Sequence, residues 1–136
     1  MSETKPSARI VLIEDNPALS EIYQTRLELM GLEVLTAQDG IAGLYLVQNE
    51  KPDLVLLDMM VPAIAGDEVL KRMRNTDWGK DIPVLVVSNL DEEEAPAGIR
   101  ELGISGYVVK ADIGNDEIDK LVEEILKNPE KKLPGR

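Results

Sequence analysis

The chain has 136 residues, enough for one domain with a sizeable core, and its 43% hydrophobic content is ordinary for a globular protein. Its 26 acidic against 15 basic residues give a formal net charge of −11, which argues against nucleic-acid binding by this chain, because phosphate backbones need a positive footprint. Cysteine and histidine are both absent, so disulfides, thiolate catalysis, Cys-based zinc sites and histidine general bases are excluded. Any chemistry must run on carboxylates, lysine and hydroxyls, and any metal should be hard and oxygen-ligated. Met1 to Ser7 lacks the apolar core of a signal peptide, and no run approaches the ~20 apolar residues of a membrane span. A cytoplasmic protein without membrane contact is expected.

Along the chain, Ile10-Val11-Leu12-Ile13 is a continuous apolar run that reads as a strand buried on both faces, and it runs straight into Glu14-Asp15. Asn16-Pro17 reads as a helix N-cap with proline at the first helical position. Leu19, Ile22, Tyr23, Leu27 and Met30 then share one helical face, and Gly31 stops the helix. Glu33 to Ala37 is a mixed second strand, and Asp39-Gly40 turns into a helix with Ile41, Leu44 and Val47 inward. Leu54-Val55-Leu56-Leu57 is a second greasy strand, ending in Asp58. A loop with Pro62 and Gly66 leads to a helix carrying Val69, Leu70 and Met73. The fourth strand, Pro83 to Val87, stops at Ser88. A weaker helix is expected around Glu93 to Leu102, with the acidic run Asp91 to Glu94 as its first turn and Gly98 weakening its interior. A short strand at Tyr107-Val108-Val109 runs into Lys110, and a last helix from near Asn115 places Ile118, Leu121, Val122 and Ile125 inward.

Strand then helix, five times over, implies a parallel sheet with helices on both faces. The wholly apolar first, third and fourth strands belong in the middle and the mixed second and fifth at the edges. The flavodoxin-like doubly wound (βα)5 sandwich, sheet order 2-1-3-4-5, satisfies this and puts the crevice between strands 1 and 3. Residues 1–8 and 128–136 read as flexible ends around one domain at 9–127, with Asn128 to Arg136 a Pro-, Lys- and Gly-containing tail. Trp78, before Gly79, reads as a loop aromatic packed on the surface.

Four of the five strands therefore end in acid, acid, hydroxyl and amine on one sheet edge. Asp58 is a potential nucleophile, since a carboxylate can accept a phosphoryl group as an acyl phosphate. Glu14 and Asp15 can help to hold Mg²⁺, while Lys110 and Ser88 can bind phosphoryl oxygens.

On these residues the chain resembles the receiver domains of two-component response regulators, in their stand-alone, chemotaxis-regulator-like form. Glu14-Asp15, Asp58 followed by Pro62 and Gly66, Ser88, Tyr107 and Lys110 match the family's motif in order and spacing over roughly residues 9 to 127. The resemblance implies that Asp58 takes phosphate from a phosphohistidine on a sensor kinase or phosphotransfer protein. Mg²⁺ would be bound by Asp15, Asp58 and the backbone carbonyl of Met60, with Glu14 contributing through water. Ser88 would move onto the phosphoryl group and Tyr107 would rotate inward, remodelling the surface of the fourth helix, fifth strand and fifth helix for an unknown protein target. Such a domain is a signalling phosphoacceptor and not an enzyme on other substrates; it would be a monomer or a weak dimer through that face. Ala111 stands where the family usually has proline after the lysine, Val61 where methionine is common, and Asn89 where a small residue is usual. In the family, the residues two after the acceptor and two after the hydroxyl border the attacking water; here they are Met60 and Leu90, and being apolar they imply slow self-dephosphorylation.

Two rival readings fit these residues less well. A haloacid-dehalogenase-type phosphatase would want a second acid at Met60 and its nucleophile after the first strand, and a flavin carrier would find its phosphate repelled by Glu14-Asp15. A receiver-like binding module that is never phosphorylated is the remaining alternative.

Overall fold

A computed structural model describes residues 7–130. The flexible ends expected at 1–8 and 128–136 fall largely outside that range. Five strands, β1 (Arg9–Ile13), β2 (Glu33–Ala37), β3 (Leu54–Leu57), β4 (Val84–Ser88) and β5 (Gly106–Val109), form one parallel sheet in the order β2-β1-β3-β4-β5. Four α-helices connect or follow them: α1 (Pro17–Leu29), α2 (Gly40–Glu50), α3 (Gly66–Arg74) and α4 (Asn115–Lys127). This is the flavodoxin-like arrangement expected from the greasiness of the strands, with β1 paired to β3 in register from Ile10↔Leu54 to Ile13↔Leu57.

Strand periodicity divides the core into two halves. Val11, Ile13, Val55, Leu57, Val84 and Val86 face one side, where α2 and α3 add Val47, Val69, Leu70 and Met73. Ile10, Leu12, Leu54, Leu56, Leu85 and Val87 face the other, where α1 and α4 add Tyr23, Leu27, Ile118, Leu121, Val122 and Ile125. Trp78 is half-buried and packs at the margin of the first half.

Two expectations are corrected. The helix expected at Glu93 to Leu102 does not form; two short 3₁₀ turns, Glu92–Glu94 and Arg100–Leu102, take its place. Pro96 has no N–H to donate, and Gly98 adopts a left-handed φ of 85°, so the chain breaks between them. Arg100 pairs with Glu92 across the break. Arg74, at the end of α3, donates to the carbonyls of Gly79 (2.7 Å), Leu102 (2.7 Å) and Gly103 (3.0 Å), tying the segment to the body. Burial pushes the Arg74 guanidinium below its ordinary pKa, with Asp81 opposing the shift.

The second correction concerns helix faces. Ile41 is 56% exposed, and α2 instead turns Gly40, Gly43 and Val47 toward the sheet. A Cβ on Gly43 would lie 2.5 Å from Ile13 Cδ1, so only glycine allows this helix to seat on β1. On α1, Tyr23 and Leu27 are buried as expected, but Ile22 and Met30 lie at the exposed margin.

Candidate functional site

The carboxyl ends of β1, β3, β4 and β5 bring the polar residues of the strand ends together. Leaving β1, Glu14 is anchored by its own N–H to the Ala37 carbonyl of β2 (3.0 Å), and its side chain is only 2% exposed. Asp15 next to it is exposed. Asn16 caps α1, its side-chain oxygen accepting from the N–H groups of Ala18 (3.0 Å) and Leu19 (3.1 Å). The Asn16 N–H is thereby turned back to donate to Glu14 Oε2 at 3.0 Å.

Asp58, 6% exposed, leaves β3 beside them, its N–H donating to the Ile13 carbonyl at 3.1 Å. Its Oδ1 accepts from the Met60 N–H (2.9 Å) and from the Ser88 hydroxyl (2.8 Å); its Oδ2 accepts from Lys110 Nζ (2.8 Å). The loop after Asp58 closes on itself through Gly66, whose N–H donates to the Met59 carbonyl at 3.0 Å. A Cβ there would lie 2.5 Å from the Asp58 carbonyl oxygen, which is why the loop needs glycine.

Lys110 reaches in from the end of β5, its N–H donating to the Ser88 carbonyl (2.8 Å). Its ammonium lies 2.5 Å from Glu14 Oε1 as well as against Asp58. Burial pushes this ammonium down, but its hydrogen bonds to Asp58 and Glu14, and their charges, push harder, and its pKa rises above the ordinary lysine value. No cis peptide bond occurs among the described residues, so Lys110 and Ala111 are joined in trans.

Behind Asp58, Ser88 and Tyr107 are both fully buried, so Tyr107 already lies inward, in the position expected of it only after phosphoryl transfer. The Tyr107 hydroxyl donates to the Leu90 carbonyl at 2.7 Å, and the Leu90 N–H donates to the Ser88 hydroxyl at 3.3 Å. The backbone of Leu90 thus connects the two side chains. Burial, with Glu92 and Asp58 nearby, pushes the Tyr107 phenol up to about 12.

One oxygen each from Glu14, Asp15 and Asp58 lie within 4.8 Å of one another. Three carboxylates against the single ammonium of Lys110 leave a formal surplus of negative charge in a largely buried place. All the donors are hard oxygens with no nitrogen or sulfur among them, a set that suits Mg²⁺. These residues, with Met60, Asn89 and Lys110, open onto a cavity of about 380 Å³.

Most of the residues expected at the site therefore converge, and Leu90 differs in detail. Met60 is 58% exposed on the cavity, whereas the Leu90 side chain packs against the core. Asn89 is exposed at the rim. Two roles escape sequence reading, that of Asn16 toward Glu14 and that of the Leu90 backbone, because both act through main-chain atoms. Tyr23 lies close to the site as well; burial raises its phenol pKa, and it feels the charges of Lys110, Glu14 and Asp58.

Residues 10–123 match the model of the response regulator receiver domain family, and the chain belongs to that family. The probable transcriptional regulator ycf27 of Galdieria sulphuraria is 34% identical over 132 residues, which cover 96% of this chain and 50% of the relative. The alkaline phosphatase synthesis transcriptional regulatory protein PhoP of Bacillus subtilis is 33% identical over 127 residues, 93% of this chain and 52% of that protein. The chain spans about half the length of these curated relatives. Among solved structures, the phosphorylated cyanobacterial phytochrome response regulator RcpA is 28% identical with a TM-score of 0.77, covering 91% of this chain and 96% of that one. A CheY-like receiver domain protein from Methanospirillum hungatei shares the fold, with a TM-score of 0.80 at 22% identity, over 92% of this chain and 98% of that one. Among the described residues, no helix is long and apolar enough to cross a membrane.

Proposed function

We propose that this receiver, residues 9–127, accepts a phosphoryl group on Asp58 from a phosphohistidine of a sensor kinase or phosphotransfer protein. The observation that carries the reading is the hydrogen-bonding of the Asp58 carboxylate, which is fixed by Lys110 on one oxygen and by Ser88 and the Met60 N–H on the other. An Asp58 oxygen attacks phosphorus, the new O–P bond forms as the N–P bond of the donor breaks, and the departing imidazole takes up a proton. Phosphoryl transfer asks the protein chiefly for positioning and charge neutralisation, which these residues can supply. Asp15, Asp58 and the Met60 carbonyl would hold Mg²⁺, with Glu14 acting through water; when bound, it neutralises carboxylate and phosphoryl oxygens. Lys110 orients the carboxylate and offers its positive charge to the incoming group.

Ser88 would exchange its bond to Asp58 for one to the phosphoryl group. Because Leu90 touches both the Ser88 hydroxyl and the Tyr107 phenol through its backbone, that exchange pulls on the start of the 89–103 segment. The output face then consists of the two 3₁₀ turns, β5 and α4, where a protein target or a second copy would dock. The acidic charge of the chain speaks against DNA contact by the receiver itself. A cytoplasmic place follows from partnership with a kinase of that kind.

Incubation with Mg²⁺ and acetyl phosphate tests this. Intact mass should rise by one phosphoryl group in the native chain and stay unchanged in Asp58→Ala. A gain that survives in Asp58→Ala would move the acceptor elsewhere, and no gain with acetyl phosphate or a cognate kinase would favour a module that is not phosphorylated.

A further inference from the structure

How long an acyl phosphate lasts depends on whether a neighbouring group can hold a water in line with the phosphorus. The resemblance puts Met60 and Leu90 beside that water, yet the chain turns Leu90 away. Its side chain packs against the core, and Asn89 stands on the cavity instead. β4 ends at Ser88, whose hydroxyl meets Asp58 at 2.8 Å, so the exposed Asn89 lies one residue beyond the acceptor's own hydrogen bond.

A water that attacks phosphorus must point a lone pair at it, which requires an acceptor to hold one of its hydrogens. Most of the cavity wall has none to offer. Pro17, Leu19 and Met60 are apolar, and the Lys110 ammonium only donates. Asn16 commits its side-chain oxygen to the N–H groups of Ala18 and Leu19. Glu14 and Asp58 are engaged by Lys110, and Asp15 is assigned to Mg²⁺ in the function proposed above. The Asn89 amide has no hydrogen-bond partner among the described residues, so its oxygen is the acceptor that remains. A side-chain amide can orient an attacking water without taking its proton.

We propose that Asn89 holds the water that hydrolyses the aspartyl phosphate and so sets how long this receiver stays phosphorylated, an inference that rests on Asp58 being the acceptor. The water oxygen bonds to phosphorus as the bond from phosphorus to the Asp58 oxygen breaks, and the electron pair of that bond returns to the carboxylate. Both water hydrogens leave with the phosphate as dihydrogen phosphate, and Asn89 ends the step unchanged.

The native chain, Asn89→Leu and Asn89→Ala, loaded with acetyl phosphate and Mg²⁺ and then freed of donor, test this by the decay of their phosphoryl mass. Removing the donor first keeps any difference in loading rate out of the decay. Asn89 is exposed, so neither substitution opens the core. Leucine keeps the bulk without the amide and alanine removes both, so the pair separates orientation of a water from mere cover. Decay should slow about fivefold in both variants, the rate equivalent of one neutral hydrogen bond. In water enriched in a heavy oxygen isotope, the released phosphate of the native chain should carry the label. Unchanged or faster decay in Asn89→Leu would overturn the proposal. Faster decay in Asn89→Ala would make Asn89 a steric cover and overturn it equally, as would label retained in Asp58 instead of phosphate. A native chain that never gains phosphoryl mass is a different result, which overturns the reading of Asp58 and this inference with it.

Discussion

Lys110 and Glu14 stand 96 positions apart in the chain and meet at 2.5 Å, in a contact that Asp58 shares from the other side at 2.8 Å. One ammonium thus serves two carboxylates that are almost fully buried. Taking away a partner of a buried ion pair costs about 3–5 kcal/mol, because the charge left behind is uncompensated. Lys110→Met should therefore destabilise the fold by about 3 kcal/mol in urea unfolding at neutral pH. Adding Asp58→Asn should recover a good part of that loss, since it removes one of the two stranded charges. Additive effects of the two substitutions would show that the contact is not energetically coupled.

The buried phenol of Tyr107 makes a second prediction, in pH. Its folded pKa is raised from the ordinary 10.0 to about 12, so the unfolded chain releases this proton first as pH rises. The folded state then holds more protons than the unfolded one, and stability falls as pH climbs through that window. The contribution is fully present below the unfolded value and lost above the folded one. Tyr107→Phe should flatten that part of the alkaline stability curve, followed by urea midpoints. A curve of unchanged slope would mean that the phenol ionises alike in both states.

Ala63, in the loop after Asp58, sits at φ 72°, a left-handed conformation that disfavours any side chain with a Cβ. Ala63→Gly should relieve this strain, and part of the gain returns as greater freedom of the unfolded chain. The expected net change is a stabilisation of about 0.5–1 kcal/mol, read from chemical denaturation. A loss of stability would show that the Ala63 methyl group makes contacts worth more than the strain.

Met60, exposed on the cavity, has no group with which to orient a water for attack on an acyl phosphate. Met60→Asn should shorten the lifetime of the phosphorylated form, several-fold at least, measured by loss of the phosphoryl mass. Leu90→Glu is a poorer probe of the same idea, because the Leu90 side chain packs against the core and its backbone serves Ser88 and Tyr107. An unchanged decay rate in Met60→Asn would remove this position from control of the lifetime.

Much of this architecture is legible in the chain because its strongest signals are local. The runs Ile10 to Ile13, Leu54 to Leu57 and Val84 to Val87 are greasy enough to mark central strands, and their polar ends mark the working edge. Helix faces are less legible: α2 seats on glycines, which carry no hydrophobic signal, so Ile41 reads as a core residue although it is exposed. The segment from Glu92 to Leu102 misleads because its acidic cap resembles a helix start, while Pro96 and Gly98 prevent the helix from continuing. The candidate site shows the same division. Its side chains can be found by strand-end position, but the burial of Glu14 depends on a lysine from the far end of the sheet, and the link from Ser88 to Tyr107 runs through the Leu90 backbone. Trp78 lies at the opposite edge from Asp58, so it is not a reporter of the acceptor.

The claim on which the account turns is that Asp58 forms the acyl phosphate. Reducing the phosphorylated chain with borohydride converts an aspartyl phosphate to homoserine, which peptide mass mapping can place. The account predicts homoserine at position 58 alone, dependent on both the phosphoryl donor and Mg²⁺. Homoserine at another carboxylate, or none after a confirmed gain of phosphoryl mass, would contradict it.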